Sequence, residues 1–210
     1  MSKTKWVWLV LALLYCSFFS WYTSFKGPLS QEEIDHYMAL ASARGEAQEP
    51  LAHLRRFMEE DTGDDFIMLN AIELYETPRV IEGVTPGQTS QQVLDQYMDY
   101  MGPALFAHAS HPIFFGYAAN SAMDLMNADG MEKWTQGAAM RYRSRRDMLE
   151  ISLNSDFRAA HKFKVAAMAK TIAYPLDPWG QLGDPRLVLF LLLGLIGSTV
   201  SWFWAARSSR

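Results

Sequence analysis

Two uncharged stretches of twenty residues, one near each end of the chain, limit its fold more than any other feature. The first, WVWLVLALLYCSFFSWYTSF, occupies residues 6–25, and the second, LVLFLLLGLIGSTVSWFWAA, occupies residues 187–206. An α-helix rises about 1.5 Å per residue, so each stretch is long enough to cross the hydrocarbon core of a bilayer, which is about 30 Å thick. The sequence therefore predicts two transmembrane helices with a domain between them.

The distribution of charge predicts how such a chain is oriented. The 210 residues hold 19 basic and 23 acidic side chains, and every acidic one lies between residues 27 and 185. Because basic residues are retained on the cytoplasmic side, the termini (1–5 and 207–210) are expected in the cytoplasm and the middle of the chain across the membrane. In a Gram-negative bacterium this describes a two-pass inner-membrane protein with a periplasmic domain.

A cleaved signal peptide is the alternative for the first stretch. Its lysines and apolar run fit, but the bulky Ser20-Trp21-Tyr22 does not offer the small-residue cleavage site. A lipoprotein signal would need Gly or Ala where Tyr15 precedes Cys16. We therefore expect an uncleaved anchor. Since Cys16 is the single cysteine, an intramolecular disulfide and a cysteine zinc cage are also excluded.

Small residues on the second stretch form a candidate packing seam. Gly194, Gly197, Ser198 and Ser201 recur at short helical spacings that let helices approach closely in lipid. The seam would take the first helix, a second copy of the chain or a membrane-protein partner. The alternative is that Gly and Ser are simply common in membrane helices.

Residues 27–63 are predicted to form a helical stalk between the first anchor and the main domain. Ser30 and Glu33 make a capping box, and Leu29 with Ile34 supplies the hydrophobic staple that accompanies it. Pro50 suits the first turn of a second helix.

Residues 64–176 carry a pattern typical of a ferredoxin-like α+β fold. The stretch FIMLNAIELY is apolar on both faces, which predicts a strand covered on both sides. Thr89 with Gln92 caps one helix, and Ser144 caps another. The predicted strands are 66–75, 112–117, 134–142 and 170–174, with helices after residue 89, after residue 144 and over 156–168. This order, βαββαβ, defines the fold class.

Three segments of this domain resemble the dimeric α+β barrel superfamily, in a small branch of domains of unknown function. They are MLNAIELYE (68–76), WTQGAAMRYRSRRDMLEI (134–151) and SDFRAAHKFKVAAMAKT (155–171). The resemblance implies a homodimer in which two four-stranded sheets pack face to face and enclose a pocket. Thr135 stands where the family usually has an acid, Arg143 where it usually has Pro, and Lys164 keeps a basic residue beyond His161.

Candidate ligand-binding residues follow from the first strand and from the resemblance. Asn70 and Glu73 are polar residues on opposite faces of the strand, and Glu73 is either a general base with a raised pKa or a carboxylate that reaches solvent or an arginine. Cofactor-free oxygenases of the superfamily use Asn, Trp and Arg groups, which implies Asn70, Trp134 and Arg141 as catalytic candidates. Tyr142 and His161 complete the predicted ligand-binding set. His161 either resembles a haem ligand or is a hydrogen-bonding family histidine, and without a haem motif no cofactor is expected.

His108 and His111 are a candidate metal pair, because a spacing of three at a helix end could direct both imidazoles to one ion. Asp95, Asp99 or Asp124 would be the third ligand. The alternative is a helix-terminal His108 that interacts with the macrodipole and a turn residue His111 before Pro112. The twelve methionines lie at core positions and predict no copper site.

Arg141, Arg143, Arg145 and Arg146 form the one basic cluster of the middle domain. The cluster would bind a carboxylate or phosphate of a ligand, or it would pair with the acidic first half of the domain, where residues 27–132 hold 18 acids and four bases. Since the middle of the chain is strongly acidic, no nucleic-acid partner is expected.

The function predicted from these features is binding of a small lipophilic ligand by an extracytoplasmic, membrane-anchored α+β barrel domain, or service as an accessory subunit of a membrane complex. The alternative is a membrane-held oxygenase or isomerase that needs no cofactor and acts on a lipophilic substrate in the same pocket.

Overall fold

A computed structural model describes residues 2–45 and 48–208, and it divides into two compact units. The first unit holds the chain up to Ser24 and from Pro178 onward, and the second holds Phe25–Asp177. The elements in chain order are α1 (Lys3–Tyr22), α2 (Gln31–Ser42), α3 (Gln48–Glu59), β1 (Phe66–Leu74), α4 (Ser90–Ala107), β2 (His111–Tyr117), β3 (Gln136–Tyr142), α5 (Arg145–Ser152), α6 (Ser155–Ala167), β4 (Met168–Leu176) and α7 (Pro185–Ser208).

The first unit is a pair of apolar helices, α1 and α7, each long and apolar enough to cross a membrane. α1 begins at Lys3, ahead of the predicted stretch, because the Ser2 side chain caps it by accepting a hydrogen bond from the Lys5 amide. α7 likewise begins at Pro185, before the predicted 187–206. The last two residues of the predicted 207–210 terminus lie outside the described part of the chain.

The seam predicted on the second helix is used in part by the first helix. The Trp8 indole donates a hydrogen bond of 3.1 Å to the Ser201 hydroxyl. A side chain at Gly197 would place its Cβ 2.7 Å from the Trp8 ring, so it would displace that ring from its present position. Gly194 and Ser198 instead line a cavity of about 530 Å³ between the two helices.

The second unit contains a four-stranded antiparallel sheet in the order β2-β3-β1-β4, which confirms the predicted ferredoxin-like α+β arrangement. β1 lies inside the sheet between β3 and β4. Its side chains alternate, so Met68, Asn70 and Ile72 face the helices α4 and α6 while Ile67 and Leu69 face the other way. We call these the helix face and the open face of the sheet.

The hydrophobic core lies between the helix face and the helices α4, α5 and α6. Phe66, Val93, Leu105, Ile151 and Ala167 are all buried there. The predicted capping box is present, since the Thr89 hydroxyl and the Gln92 side chain bond each other's backbone amides, and it fixes where α4 begins. Ser144 caps α5 as predicted.

The residues predicted as a helical stalk form α2 and α3, which pack against α5 within the same unit as the sheet. Leu29, Ile34, Tyr37, Met58 and Leu149 make a second buried cluster there. The Ser30–Glu33 capping box is present at the start of α2.

The loop after α3 is tied to the loop before α2. The Asp61 carboxylate accepts hydrogen bonds from the Leu29 and Gly63 amides, at 2.8 and 3.1 Å. Gly63 has a φ of +84°, and a Cβ there would lie 2.5 Å from the backbone of Gly27, so this close crossing requires glycine.

The arginine cluster holds this helical layer in place. Arg141 bonds Asp65 at 2.8 Å, and Arg146 bonds Glu33 at 2.6 Å. Arg145 lies 3.6 Å from Asp61 and also donates to the Phe57 carbonyl. Pairing with the acidic first half of the domain, one of the two predicted roles of the cluster, is therefore confirmed for these three arginines, whereas Arg143 pairs with Asp147.

Replacing Glu33 with Gln is expected to remove one of these ties while keeping the capping box, because Gln can still bond the Ser30 amide. The hydrogen bond from Arg146 lowers the pKa of Glu33 from 4.5 to about 2. The ion pair therefore stabilises the fold above the usual pKa and loses its effect as the pH falls through the lowered one. Because the carboxylate is about one third exposed, we expect Glu33→Gln to lower the free energy of unfolding at neutral pH by no more than about 1 kcal/mol.

Urea denaturation of the detergent-solubilised chain measures this difference, with the exposed neighbour substitution Glu32→Gln as its control. The difference between wild type and Glu33→Gln should shrink as the pH falls toward 2 and vanish below it, where the carboxyl is protonated in both states. A difference that persists there would contradict the assignment.

Candidate functional site

A cavity of about 480 Å³ lies between the helix face of the sheet and the helices α4 and α6. We call it the internal cavity. β1 contributes Asn70 to its wall, β3 contributes Ala138 and Gln136, and α6 contributes Lys164. The wall is largely apolar with a few polar groups, which is the usual composition of a small-molecule site.

Gln136 is the most unusual of these polar groups. It is 1% exposed, and neither its Nε2 nor its Oε1 has a hydrogen-bond partner among the described residues. The Oε1 of Gln91, on the first turn of α4, is also buried without a partner. Buried amides are nearly always bonded, because an unmet one costs about 1–3 kcal/mol. Two such groups on one cavity wall indicate a place where a ligand can bond.

Lys164 is the basic residue of the cavity wall. Burial lowers the pKa of its amine, since the charged form is poorly solvated there. Its Nζ lies 5.8 Å from the centre of the Tyr97 ring. Among the described residues it makes no ion pair, so no carboxylate of the domain balances its charge.

Gln91, Gln136 and Lys164 lie at one end of the cavity because the chain brings three elements together there. The Ser90 hydroxyl, at the start of α4, donates a hydrogen bond of 2.6 Å to the carbonyl of Tyr75, which lies just after β1. Gln136 opens β3 and lies opposite Ile72, near the same end of β1. Lys164 is in the last turn of α6, and Met168 that follows pairs with Leu74.

The opposite end of the cavity is apolar. Met101 and Leu105 of α4 meet Met148 and Ile151 of α5 there. Asn70 lies between the two ends, and its Nδ2 donates to the Met68 carbonyl at 3.0 Å. The cavity therefore has a polar end, an amide near its middle and an apolar end.

Of the residues predicted to bind a ligand, Asn70 and Tyr142 line the internal cavity. Tyr142 is stacked on Phe66 with ring centres 5.3 Å apart, and burial raises the pKa of its phenol to about 12. Arg141 is on the open face, where it lies opposite Ile67, bonds Asp65 and donates to the Ala109 carbonyl. The structure therefore does not bring Arg141 to Asn70.

Glu73 and Trp134 meet around Lys170 on the open face. The Lys170 Nζ lies 3.1 Å from the Glu73 carboxylate and 4.7 Å from the centre of the Trp134 ring. Trp134 precedes β3 instead of lying within it. Thr135 interrupts the strand pattern, since its hydroxyl accepts a hydrogen bond of 2.9 Å from the Leu74 amide. Trp134 and Asn70 are thus on different sides of the sheet.

His161 lines a second cavity of about 690 Å³, which α3, α5 and α6 enclose. Its ring is stacked on Phe157 at 5.1 Å, and burial lowers the pKa of the imidazole. The stacked, desolvated ring is held as a neutral packing group.

The two histidines predicted as a metal pair, His108 and His111, have different partners in the structure. His108 instead joins Asp147 and Glu150, with Nδ1 3.1 and 3.5 Å from their carboxylates, and His111 bonds the Pro112 carbonyl. One ligand atom from each of His108, Asp147 and Glu150 could meet at an ion.

Asp147 already has other partners. Burial alone would raise its pKa, but hydrogen bonds from Arg143, Ser144 and His108 lower it. The Arg143 guanidinium bonds both carboxylate oxygens, so an ion at this place would have to displace a cation from Asp147. His108 is therefore best described as part of a helix-end hydrogen-bond cluster.

Gln91 and Gln136 are the site residues that sequence reasoning missed. Gln136 alternates with Ala138, Met140 and Tyr142, so the period of the strand could have assigned it to the buried face. Nothing in the sequence indicated that the helices leave a cavity above it.

The comparisons with known proteins concern the fold. No family model matches the chain, and no curated protein matches it. A protein of unknown function from Rhodopseudomonas palustris superimposes with a TM-score of 0.52 at 20% identity, over 65% of this chain and 96% of that one. This likeness shows a shared fold, and together with the sheet order it defines a ferredoxin-like α+β protein.

Two weaker likenesses have TM-scores too low to carry an argument about this chain. One is a dimeric ferredoxin-like protein of unknown function from Bacteroides fragilis, with a TM-score of 0.34 at 10% identity over 54% of this chain and 96% of that one. The other is SnoaB, a cofactor-independent oxygenase from Streptomyces nogalater, with a TM-score of 0.35 at 6% identity over 58% of this chain and 99% of that one.

Replacing Gln136 with Leu is expected to raise the free energy of unfolding by about 1–3 kcal/mol, because it removes a buried amide that has no partner. The control is Gln31→Leu on the exposed first turn of α2, where we expect a change within about 0.5 kcal/mol. Urea denaturation of the two variants and the wild type makes the comparison. A loss of stability in Gln136→Leu would show that the amide is bonded in the folded domain.

Proposed function

We propose that this chain is a two-pass inner-membrane protein whose ferredoxin-like domain lies outside the cytoplasm and binds a small lipophilic ligand in the internal cavity. The observation that carries the proposal is Gln136, whose buried amide finds no partner among the described residues and lies on the wall of a largely apolar cavity. A ligand with an apolar body and one polar group would bond this amide and fill the space around it.

The membrane part of the proposal is supported by α1 and α7. Both are long and apolar, and lysines and arginines are the only charged residues that flank their outer ends. The packing of Trp8 on Gly197 supports a stable helix pair. A membrane complex could use the faces of this pair that remain exposed, which keeps the role of accessory subunit within the proposal.

The domain is proposed to form a homodimer through the open face of the sheet. Ile172, Tyr174 and Leu176 of β4 are 38–45% exposed on this face, and Phe114 of β2 is 58% exposed. These strands are the two edges of the sheet, and Ala139 of β3 and Leu69 of β1 lie between Phe114 and Tyr174. An apolar row therefore crosses the open face, and a second copy of the same face would cover it.

The proposed enzyme alternative is a cofactor-independent oxygenase or isomerase. It is supported by one observation, the position of Asn70 in the internal cavity. Trp134 and Arg141, the other two candidates, line neither this cavity nor its mouth. Turnover of a lipophilic substrate that is lost in a folded Asn70→Ala variant would favour this alternative over simple binding.

Topology is tested by fusions to the two ends of the chain. A fluorescent protein fused at either terminus should be fluorescent, and alkaline phosphatase fused at either terminus should be inactive, because both ends are proposed to lie in the cytoplasm. Extraction of the chain by carbonate alone, or an active phosphatase at the C-terminus, would contradict the proposed topology.

Ligand binding is tested with labelled 1-octanol as a neutral lipophilic probe. Equilibrium dialysis of the full chain in lipid nanodiscs should retain more octanol than empty nanodiscs do. Ala138→Leu, which fills the cavity, should weaken this binding about tenfold, whereas Ala139→Leu on the open face should change it by less than about twofold. Equal retention by empty and loaded nanodiscs would contradict the proposed function.

A further inference from the structure

The internal cavity contains a cation that no described residue neutralises. Lys164 lines its polar end and makes no ion pair with any described residue. Asp95 is the carboxylate on the same wall, but it is exposed at the rim and accepts a hydrogen bond of 2.8 Å from Gln91. Lys164 is half-buried, and an ammonium that is partly removed from water without a counter-ion is destabilising. A ligand that carries a negative charge would offset this cost.

The groups around Lys164 restrict the kind of anion. The buried amide of Gln136 offers an NH2 group that donates and a carbonyl oxygen that accepts, and Lys164 offers donors only. One cation and one amide donor match the two oxygens of a single carboxylate. The Gln91 Oε1 is a further acceptor at this end, which disfavours a second negative charge on the ligand.

The rest of the cavity restricts the other part of the ligand. Beyond Asn70 the wall includes the side chains of Met101, Leu105, Met148 and Ile151, which suit an alkyl chain. The polar and apolar ends thus face the two ends of one ligand.

We propose that the ligand is an amphipathic monocarboxylic acid, with its carboxylate at Lys164 and Gln136 and its alkyl chain directed toward Leu105 and Ile151. This inference rests on the proposed function of the cavity and names the chemical class that it binds. Lys164 holds the charge of the head group, and Gln136 orients it.

The test compares three probes of one chain length, octanoate, 1-octanol and octyl phosphate, by equilibrium dialysis of the full chain in nanodiscs of uncharged lipid at neutral pH. Octanoate should bind at least about tenfold tighter than octanol, the ratio expected for one added charge-assisted hydrogen bond. Octyl phosphate should bind more weakly than octanoate. Lys164→Met should lower the octanoate affinity to that of octanol.

Lys162→Met is the matched control, since Lys162 is exposed two residues earlier on α6, and it should keep the preference for octanoate. Gln136→Leu gives a second, independent measurement, and it should lower the affinity for octanoate several-fold. The inference is overturned if octanoate binds no tighter than octanol, if the preference survives in Lys164→Met, or if octyl phosphate binds tighter. Should octanol itself show no binding above empty nanodiscs, the proposed function fails along with the inference.

Discussion

The alternation of side chains along β1 is the constraint on which the rest of the domain depends. β1 is bonded to β3 on one side and to β4 on the other, so its register assigns residues to faces across most of the sheet. Met68, Asn70 and Ile72 are directed to the helices, and Ile67 and Leu69 to the open face. A shift of one residue would exchange the two sets and leave the cavity without its amide. One strand thus sets both the interior site and the exterior surface.

The local motifs of this fold could be predicted from the sequence, and the long-range contacts could not. Capping boxes such as Thr89–Gln92 depend on residues three apart, so they are visible in the chain itself. The contact of His108 with Asp147 joins residues 39 apart, and nothing in their spacing distinguishes it from the predicted pairing with His111. The separation of Asn70 from Arg141 follows from the β1–β3 register, which the sequence left open. Gln136 could have been assigned to a buried face, but its cavity depends on how far α4 and α6 lie from the sheet.

If the internal cavity binds a ligand as proposed, stability and binding oppose each other there. Among the described residues, the Gln136 amide has no hydrogen-bond partner and Lys164 has no counter-ion, and both destabilise the free domain. Elsewhere the domain satisfies its buried charges closely, as Arg141 does with Asp65 and Arg146 does with Glu33. The contrast separates arginines that hold the architecture from a lysine and an amide that the proposed ligand would bond. Proteins commonly retain such unsatisfied groups where they act on other molecules.

The open face of the sheet has a further consequence if α1 and α7 cross a membrane as proposed. In the proposed arrangement each dimer would bring four spans into one bilayer, and its subunits would diffuse in two dimensions only. Confinement of this kind raises the effective concentration of one sheet near another, so a contact too weak to persist in free solution could hold at the membrane. In the proposed arrangement a weak contact through Ile172, Tyr174 and Leu176, which are 38–45% exposed, would then suffice to pair two copies, and the paired fraction would rise with the density of the chain in the bilayer.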